Sequence, residues 1–478
     1  MKILFADFKI QKYGGIVEYM ASMLKAFKEL GNEVDVVQMN PSSVSQKFYD
    51  RRIKELESGD YNKRINFNSQ SGGYEKDEAT GYWRNNYYGF FLPPSNRIGV
   101  YEDDALEHWG KIANKFDIIL WNFMPTKNSI WTKRGIQFDF WWKFFDLPDN
   151  IKQVFIVHDA YFNVRASNIS ALKDKIHFLA CAHLAAYHCC NEIEIPRALL
   201  LNPRYISDND RMPIRMIKNR NQDFFAAHMF KTMKHMEDLI AAIPYLNKES
   251  SIKIAGTGME YNYMTSSSKI KKEYICNKKR DPDLPNDLDQ KISLWNRAIN
   301  YNMEYSGQMS GYDVRRTLRN TKFAIDPSWS RHYSKYCRTH INGFIIEAML
   351  EGAYPVLRDY RGLTPESKGK LYDPLFENIR AIIIPWDSTP KQFADKLKGA
   401  FNMPSAKFFK DTQHNFEIVK ELFNAKKNAI DIIKLCKLNK NDISKELEVG
   451  KDSDNVIRIT KEIMEGFYKI NLPINWKT

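Results

Sequence analysis

Lys2-Ile3-Leu4-Phe5-Ala6, a loop from Asp7 to Tyr13, the pair Gly14-Gly15, and then Val17-x-x-Met20-x-x-x-Leu24-x-x-Phe27 form the stretch on which the fold turns. The short apolar run reads as a buried parallel strand, and the repeat after the glycines has helical spacing. Glycines at a strand-to-helix turn let backbone N–H groups approach an anion, and the partial positive charge of the helix start adds to the attraction. The turn suits a phosphate-bearing ligand. A plain tight turn would use the same two glycines.

Outward from this unit the pattern repeats. Gly31-Asn32 reads as a helix C-cap, followed by the strand Val34-Asp35-Val36-Val37. Further strands are expected at 116–121, 153–157, 178–181 and 199–201. Pro203, Pro213 and the basic, Asn-containing run 211–221 mark a linker. A second series follows it, with strands at 223–226, 252–255, 303–305, 322–325, 354–357 and 381–384. Helices are expected at 236–245, around 314–318, at 344–350, and to the end after Gln392. Strands alternating with helices predict an α/β protein with two doubly wound parallel sheets. The expected domains are 1–215, 216–410 and a helical tail, 411–478, packing back on the first. Such a pair would hold a ligand beyond the carboxyl ends of the strands, in the cleft between the domains. Residues 41–105 break the pattern and read as an aromatic and basic insertion with little regular structure.

Composition narrows the classes. At 478 residues the chain can bury two or three cores. It contains no run near the ~18 apolar residues of a membrane span. Asp7 interrupts the apolar start too soon for a signal peptide, so a cytoplasmic location is expected. The charge of +13 favours a polyanionic partner such as nucleic acid, although a basic solvated surface would give the same balance. Cys181, His183, His188 and Cys189 lie close enough to raise zinc, but the six cysteines show no CxxC pair, and no metal site is expected.

Three constellations carry chemistry. His158-Asp159 follows the strand at 153–157, where α/β proteins place ligand sites; Asp159 could also be a helix N-cap. Lys231 and Lys234 stand before the helix of Met236, Leu239, Ile240 and Ile243. Two cations against the positive end of a helix dipole suggest an anionic ligand, and a diphosphate fits. Glu347 lies on the otherwise apolar helix before Gly352, where a buried carboxylate needs a partner. Ribose hydroxyls would provide one.

Glu347-Ala348-Met349 with Gly352-x-x-Pro355-Val356, the Lys234 helix, Pro327-Ser328 and Gly14-Gly15 together resemble the retaining glycosyltransferases of family 4, which have the GT-B fold. The resemblance implies that Lys234 holds the diphosphate of a nucleotide sugar and Glu347 its ribose, with Gly14-Gly15 beside the phosphates and the transferred sugar. The chain departs from the family twice. The glutamate expected eight positions before Glu347 is Thr339, flanked by Arg338 and His340, and the arginine expected five before Lys234 is Met229, so Lys231 or His228 would have to take its part. The first change leaves the sugar open.

The run 116–126 followed by Val154-Phe155-Ile156-Val157-His158-Asp159 is more closely similar to the phage DNA α-glucosyltransferases that act on 5-hydroxymethylcytosine, as is Ser334-Lys335. That likeness implies a UDP-sugar donor, no metal, retention, and Asp159 as base beside His158. The cytoplasm would then be that of an infected bacterial host. DNA is the expected partner and UDP-sugar the donor substrate, with no other cofactor. Tyr82, Trp83, Arg84 and Tyr87, with Trp131, Lys133 and Arg134, combine stacking faces and phosphate-binding cations, as a nucleic-acid groove requires. The same aromatics, with Trp141-Trp142 and Phe144-Phe145, could instead pack a lid on the first domain. A transferase for a cell-surface glycan or lipid, and a non-catalytic nucleic-acid-binding protein, remain open alternatives.

Overall fold

The opening apolar run runs one residue beyond its expected end: β1 is Lys2–Asp7, buried from Ile3 onward. The computed structural model describes residues 1–7, 15–40, 75–76, 83–84, 96–99, 104–122, 143–158, 172–183, 186–187, 190, 193–207, 212–213, 217–228, 234–256, 303–307, 309, 311–328, 341–359 and 378–446. Two units result. One comprises Met1–Asn66, Gly73–Asp208 and Glu421–Thr478, the other Phe67–Gly72 and Asn209–Lys420.

In the first unit β1 is followed by α1 (Gly15–Glu29) and β2 (Glu33–Asn40). A two-residue antiparallel pair, β3 (Glu75–Lys76) with β4 (Trp83–Arg84), comes next. Then come β5 (Asn96–Gly99), α2 (Ala105–Ala113), β6 (Ile118–Trp121), β7 (Lys152–Val157), β8 (Phe178–Cys181) and β9 (Arg197–Leu199). The sheet order is β5-β2-β1-β6-β7-β8-β9, every pair parallel. Parallel strands covered on both faces need apolar residues at nearly every position, hence the unbroken runs in β1, β6 and β8. On one face Phe5, Val36, Leu120 and Ile156 pack under Met20, Leu24 and Phe27 of α1. The other carries Trp121, stacked on Phe155 and edge-on to Phe145.

The first core is completed from far along the chain. Ala425, Ala429, Ile432 and Leu435 of α8 (Ala425–Cys436) join the α1 cluster, and Asn428 Nδ2 donates to the Leu201 carbonyl at 2.8 Å.

In the second unit the order is β12-β11-β10-β13-β14-β15, again all parallel. These strands are β10 (Gln222–Ala227), β11 (Ile252–Ala255), β12 (Met303–Tyr305), β13 (Thr321–Asp326), β14 (Tyr354–Asp359) and β15 (Ile382–Pro385). The helices are α3 (Met236–Ala242), α4 (Gly311–Leu318), α5 (Gly343–Leu350), α6 (Pro390–Ala400) and α7 (Ser405–Leu422). Beyond α8 lies α9 (Lys440–Glu446). Thr389 caps α6 in a reciprocal pair with Gln392, with Pro390 as first helical residue.

Three expectations change. The insertion is not wholly irregular, because β5 joins the first sheet beside β2. An edge strand has one ladder to satisfy, so a short polar segment such as Asn-Arg-Ile-Gly can serve. The strand expected at 199–201 lies at Arg197–Leu199 instead. The helix expected over 236–245 changes at Ile243 to a 3-10 turn, where Pro244 has no N–H for the α-helical ladder.

Two helix ends behave as read. Asn32 N–H returns to Phe27 O and Gly31 N–H to Lys28 O, with Gly31 at φ 76°. The same closure ends α5, with Ala353 N–H on Ala348 O, Gly352 N–H on Met349 O, and Gly352 at φ 69°. A Cβ at Gly352 would also lie 2.9 Å from Arg220 Nη2, whose guanidinium is held by the carbonyls of Leu318, Thr321 and Glu351. Gly352→Ala is therefore expected to cost about 2 kcal/mol or more, combining left-handed strain and a fixed neighbour. Urea unfolding checks this, and a loss within 0.5 kcal/mol of zero (~the scatter of neutral surface changes) would refute it. Among the described residues no helix is long and apolar enough to cross a membrane.

Candidate active site

In a doubly wound sheet the strand order reverses at one point, and the crevice beyond the carboxyl ends of the two strands there receives ligands. The reversal lies between β1 and β6 in the first unit and between β10 and β13 in the second. Both positions carry buried polar pairs.

In the first unit Asp7 ends β1, Asn122 follows β6, His158 follows β7, and His183 lies just past β8. Asn122 Nδ2 donates to Asp7 Oδ2 at 2.7 Å. With its amide nitrogen so engaged, Asn122 presents Oδ1 to His158, whose Nε2 donates to it at 2.6 Å. His183 Nδ1 accepts the Ala186 N–H at 3.1 Å, so its Nε2 carries the proton and donates to the His158 carbonyl at 2.9 Å. Tyr19 of α1 sets its ring edge-on to His158, centroids 4.7 Å apart. Burial, with nearby His183 adding to it, holds the His158 imidazole down at about 3. At neutral pH His158 is thus uncharged, with Nε2 protonated and the lone pair on Nδ1.

In the second unit His228 follows β10 and Asp326 ends β13, with His228 Nε2 3.4 Å from Asp326 Oδ1. Asp326 also accepts the Ser328 N–H at 3.0 Å, the Ser328 hydroxyl at 2.5 Å and the Asn342 amide. Asn342 caps α5 by accepting from the backbone N–H groups of Phe344 and Ile345. The carboxyl end of β13 is thereby tied to the helix that bears Glu347. Burial lowers the His228 imidazole to about 4, opposed by Asp326 and reinforced by Lys234. Half-buried Lys234 therefore lies within electrostatic reach of the reversal point.

A pH dependence follows. His228 titrates near its ordinary 6.5 when unfolded and near 4 when folded, so the unfolded chain binds the proton first as pH falls. Stability is full above about pH 6.5 and declines below it, by about 1.4 kcal/mol per pH unit for this group. Between pH 6.5 and 5 wild type is expected to lose about 1.5 kcal/mol more than His228→Gln in urea unfolding, the slope reaching its full value only below pH 6.5. Equal losses would refute it.

At both donor-side candidates the structure adds protein partners that the local sequence argument leaves out. Lys234 does not leave a basic helix start uncompensated, because Glu237 and Asp238 occupy the first turn of α3. Asp238 also takes Arg358 Nη2 of β14 at 3.0 Å. The chain turns into α3 through His235, fully buried and left-handed at φ 44°. Glu347, expected to find its partner in ribose, faces Arg315 Nε at 3.1 Å. That Nε lies closer, at 2.6 Å, to Glu351, which also binds Arg319 Nε at 2.5 Å.

The other candidates divide by position. Gly15 is the first residue of α1. Trp83 and Arg84 form β4 across from Lys76 and Glu75. Gly14, Asp159, Lys231, Ser334, Lys335, Arg338, Thr339, Tyr82, Tyr87, Trp131, Lys133 and Arg134 lie outside the described residues, as do Trp141, Trp142, His188 and Cys189. Phe144 and Phe145 belong to the first unit's core, with zero exposure. Cys181 is equally buried and both His183 ring nitrogens are engaged. Among the described residues no group of three or more His, Cys, Asp or Glu could hold a metal.

No family description and no characterised protein matches the sequence. Solved structures do match. Anabaena HepE bound to UDP-glucose aligns over 92% of this chain and 100% of its own, with TM-score 0.55 and 13% identity. An alpha-glucosyltransferase bound to UDP-glucose and DNA containing an abasic site covers 91% of this chain and 99% of its own, at 0.56 and 13%. A TarM variant from S. aureus, bound to Fondaparinux, alpha-GlcNAc-glycerol and UDP, covers 91% and 100%, at 0.53 and 12%. The fold is GT-B.

Asp7, Asn122, Asp326 and Arg315 flank the two strand reversals and are not singled out by the sequence, which offers His183 only as a zinc candidate and His228 only as a substitute for the arginine replaced by Met229. Asp7 was legible as a carboxylate closing an apolar strand. The others acquire meaning only from strand order.

Proposed function

We propose that this chain is a retaining glycosyltransferase that moves a sugar from a UDP-sugar to the hydroxyl of a hydroxymethylated pyrimidine in DNA, or of a sugar already on that base. One observation carries the reading. The two segments similar to the DNA α-glucosyltransferases fold into adjacent parallel strands, β6 and β7, whose ends are joined by the Asn122–His158 hydrogen bond. The fold match to an alpha-glucosyltransferase solved with UDP-glucose and DNA supports it.

In this reading the second unit holds the donor. Lys231 and Lys234 neutralise charge on the departing diphosphate, each charge-assisted hydrogen bond contributing ~1.5–3 kcal/mol. Glu347, with Arg315 beside it, binds the ribose, and Gly14-Gly15 lie by the phosphates. Ser334, Lys335, Arg338 and Thr339 complete the donor-binding set, and the chemistry needs no metal. In the first unit Asp159 takes the acceptor proton as the new glycosidic bond forms. His158, with a conjugate acid at about 3, is too weakly basic for that task at neutral pH and offers Nδ1 as a hydrogen-bond acceptor. Tyr82, Trp83, Arg84, Tyr87, Trp131, Lys133 and Arg134 receive DNA.

HepE and the TarM variant match the chain as well as the DNA enzyme does, which favours a second reading with a non-DNA glycan as acceptor. Mass spectrometry of nucleosides from hydroxymethylated DNA, incubated with the protein and a panel of UDP-sugars, separates them. A mass increase on the modified base equal to the sugar supplied supports the first reading. UDP release with unmodified nucleosides, and transfer to a glycan, supports the second.

A further inference from the structure

We infer that Asp7 and Asn122 are positioning residues that fix the tautomer of His158, making its Nδ1 an obligatory acceptor for a substrate hydroxyl. The inference rests on the transferase reading and deepens it. Three strand ends cooperate, and each hydrogen bond dictates the next. A carboxylate only accepts, so Asp7 draws the NH₂ side of the Asn122 amide toward itself at 2.7 Å. That leaves only the amide oxygen for His158 at 2.6 Å, and an oxygen can be met only by a protonated Nε2. A neutral imidazole carries one proton, so Nδ1 must hold the lone pair.

Two neighbours help to hold the residue in place. His183 holds the His158 backbone carbonyl at 2.9 Å, and the Tyr19 ring stands edge-on at an interplanar angle of 88°. Asp7 and Asn122 are 6% and 2% exposed, so water cannot readily substitute for either partner. A lone-pair acceptor selects a hydroxyl group and disfavours a carboxylate in the same place. The hydroxyl of the acceptor, on a hydroxymethyl group or on a sugar already attached to the base, is therefore what this ring recognises.

The test compares wild type with Asp7→Asn and Asn122→Ala. Long-range 15N–1H correlation spectra report the His158 tautomer, the signal being assigned by its loss in His158→Gln. Steady-state kinetics with UDP-sugar report kcat and KM. Wild type is expected to show only the Nε2–H form. Both variants are expected to admit the Nδ1–H form, and kcat to fall roughly 10²-fold for a misaligned acceptor, while KM for UDP-sugar stays within about 2-fold, the donor being held by other residues. An unchanged tautomer in both variants overturns the inference, as does a changed tautomer with unchanged kcat. If wild type transfers no sugar, the transferase reading fails by itself, and the spectra still decide whether the relay fixes the ring.

Discussion

Lys234→Ala is expected to lower the rate of UDP release from a UDP-sugar by roughly 10²–10³-fold, the effect of deleting one preorganised group that meets developing charge. The side chain is half-buried, and its ammonium makes no ion pair or hydrogen bond among the described residues. Its removal should therefore leave the fold intact. Among the described residues its charge acts on His228, at the strand reversal where the proposed function puts the diphosphate. Lys234→Arg keeps the charge and should recover part of the rate, without the compact geometry of an ammonium. A Lys234→Ala rate within threefold of wild type (on the order of 0.6 kcal/mol) would show that this cation does not serve the leaving group.

The second large effect concerns stability. Glu351 is 1% exposed and binds Arg315 on one oxygen and Arg319 on the other. Arg315 is itself buried, whereas the Arg319 side chain is 47% exposed. Glu351→Ala thus leaves one guanidinium charged in the interior and lets the other return to water. Breaking a buried pair from one side costs about 3–5 kcal/mol. Glu347 remains 3.1 Å from Arg315 and offsets part of the loss, so the lower end is expected. Arg319→Ala should cost well under half as much, since partly exposed pairs contribute about 0–1 kcal/mol. Denaturant unfolding of the two variants checks this. Equal losses would show that the buried arginine is not what Glu351 serves.

The architecture was readable wherever one local rule sufficed. Uninterrupted apolar runs such as Ile118-Ile119-Leu120-Trp121 leave little but a strand buried on both faces. The glycine closures of α1 and α5 announced their helix ends. Reading failed where an element depended on a distant neighbour. β5 is a strand only because β2 offers it a free edge. The Asp7–Asn122 contact spans 115 residues and the Asn122–His158 contact 36, and sheet order alone brings them together. Glu347 illustrates the same limit: burial of a carboxylate could be read from its helix, but its arginine partner stands on α4. At Lys234 the compensation is local instead, because Glu237 and Asp238 in the first turn of α3 offset the cation at the helix start.

A crystal structure of the protein soaked with UDP tests the central claim most directly. The account predicts the diphosphate against the Lys234 ammonium, beside the His228–Asp326 pair, with the ribose hydroxyls on Glu347. UDP bound away from both residues, or no binding at millimolar concentration (weaker than about −4 kcal/mol), would contradict it.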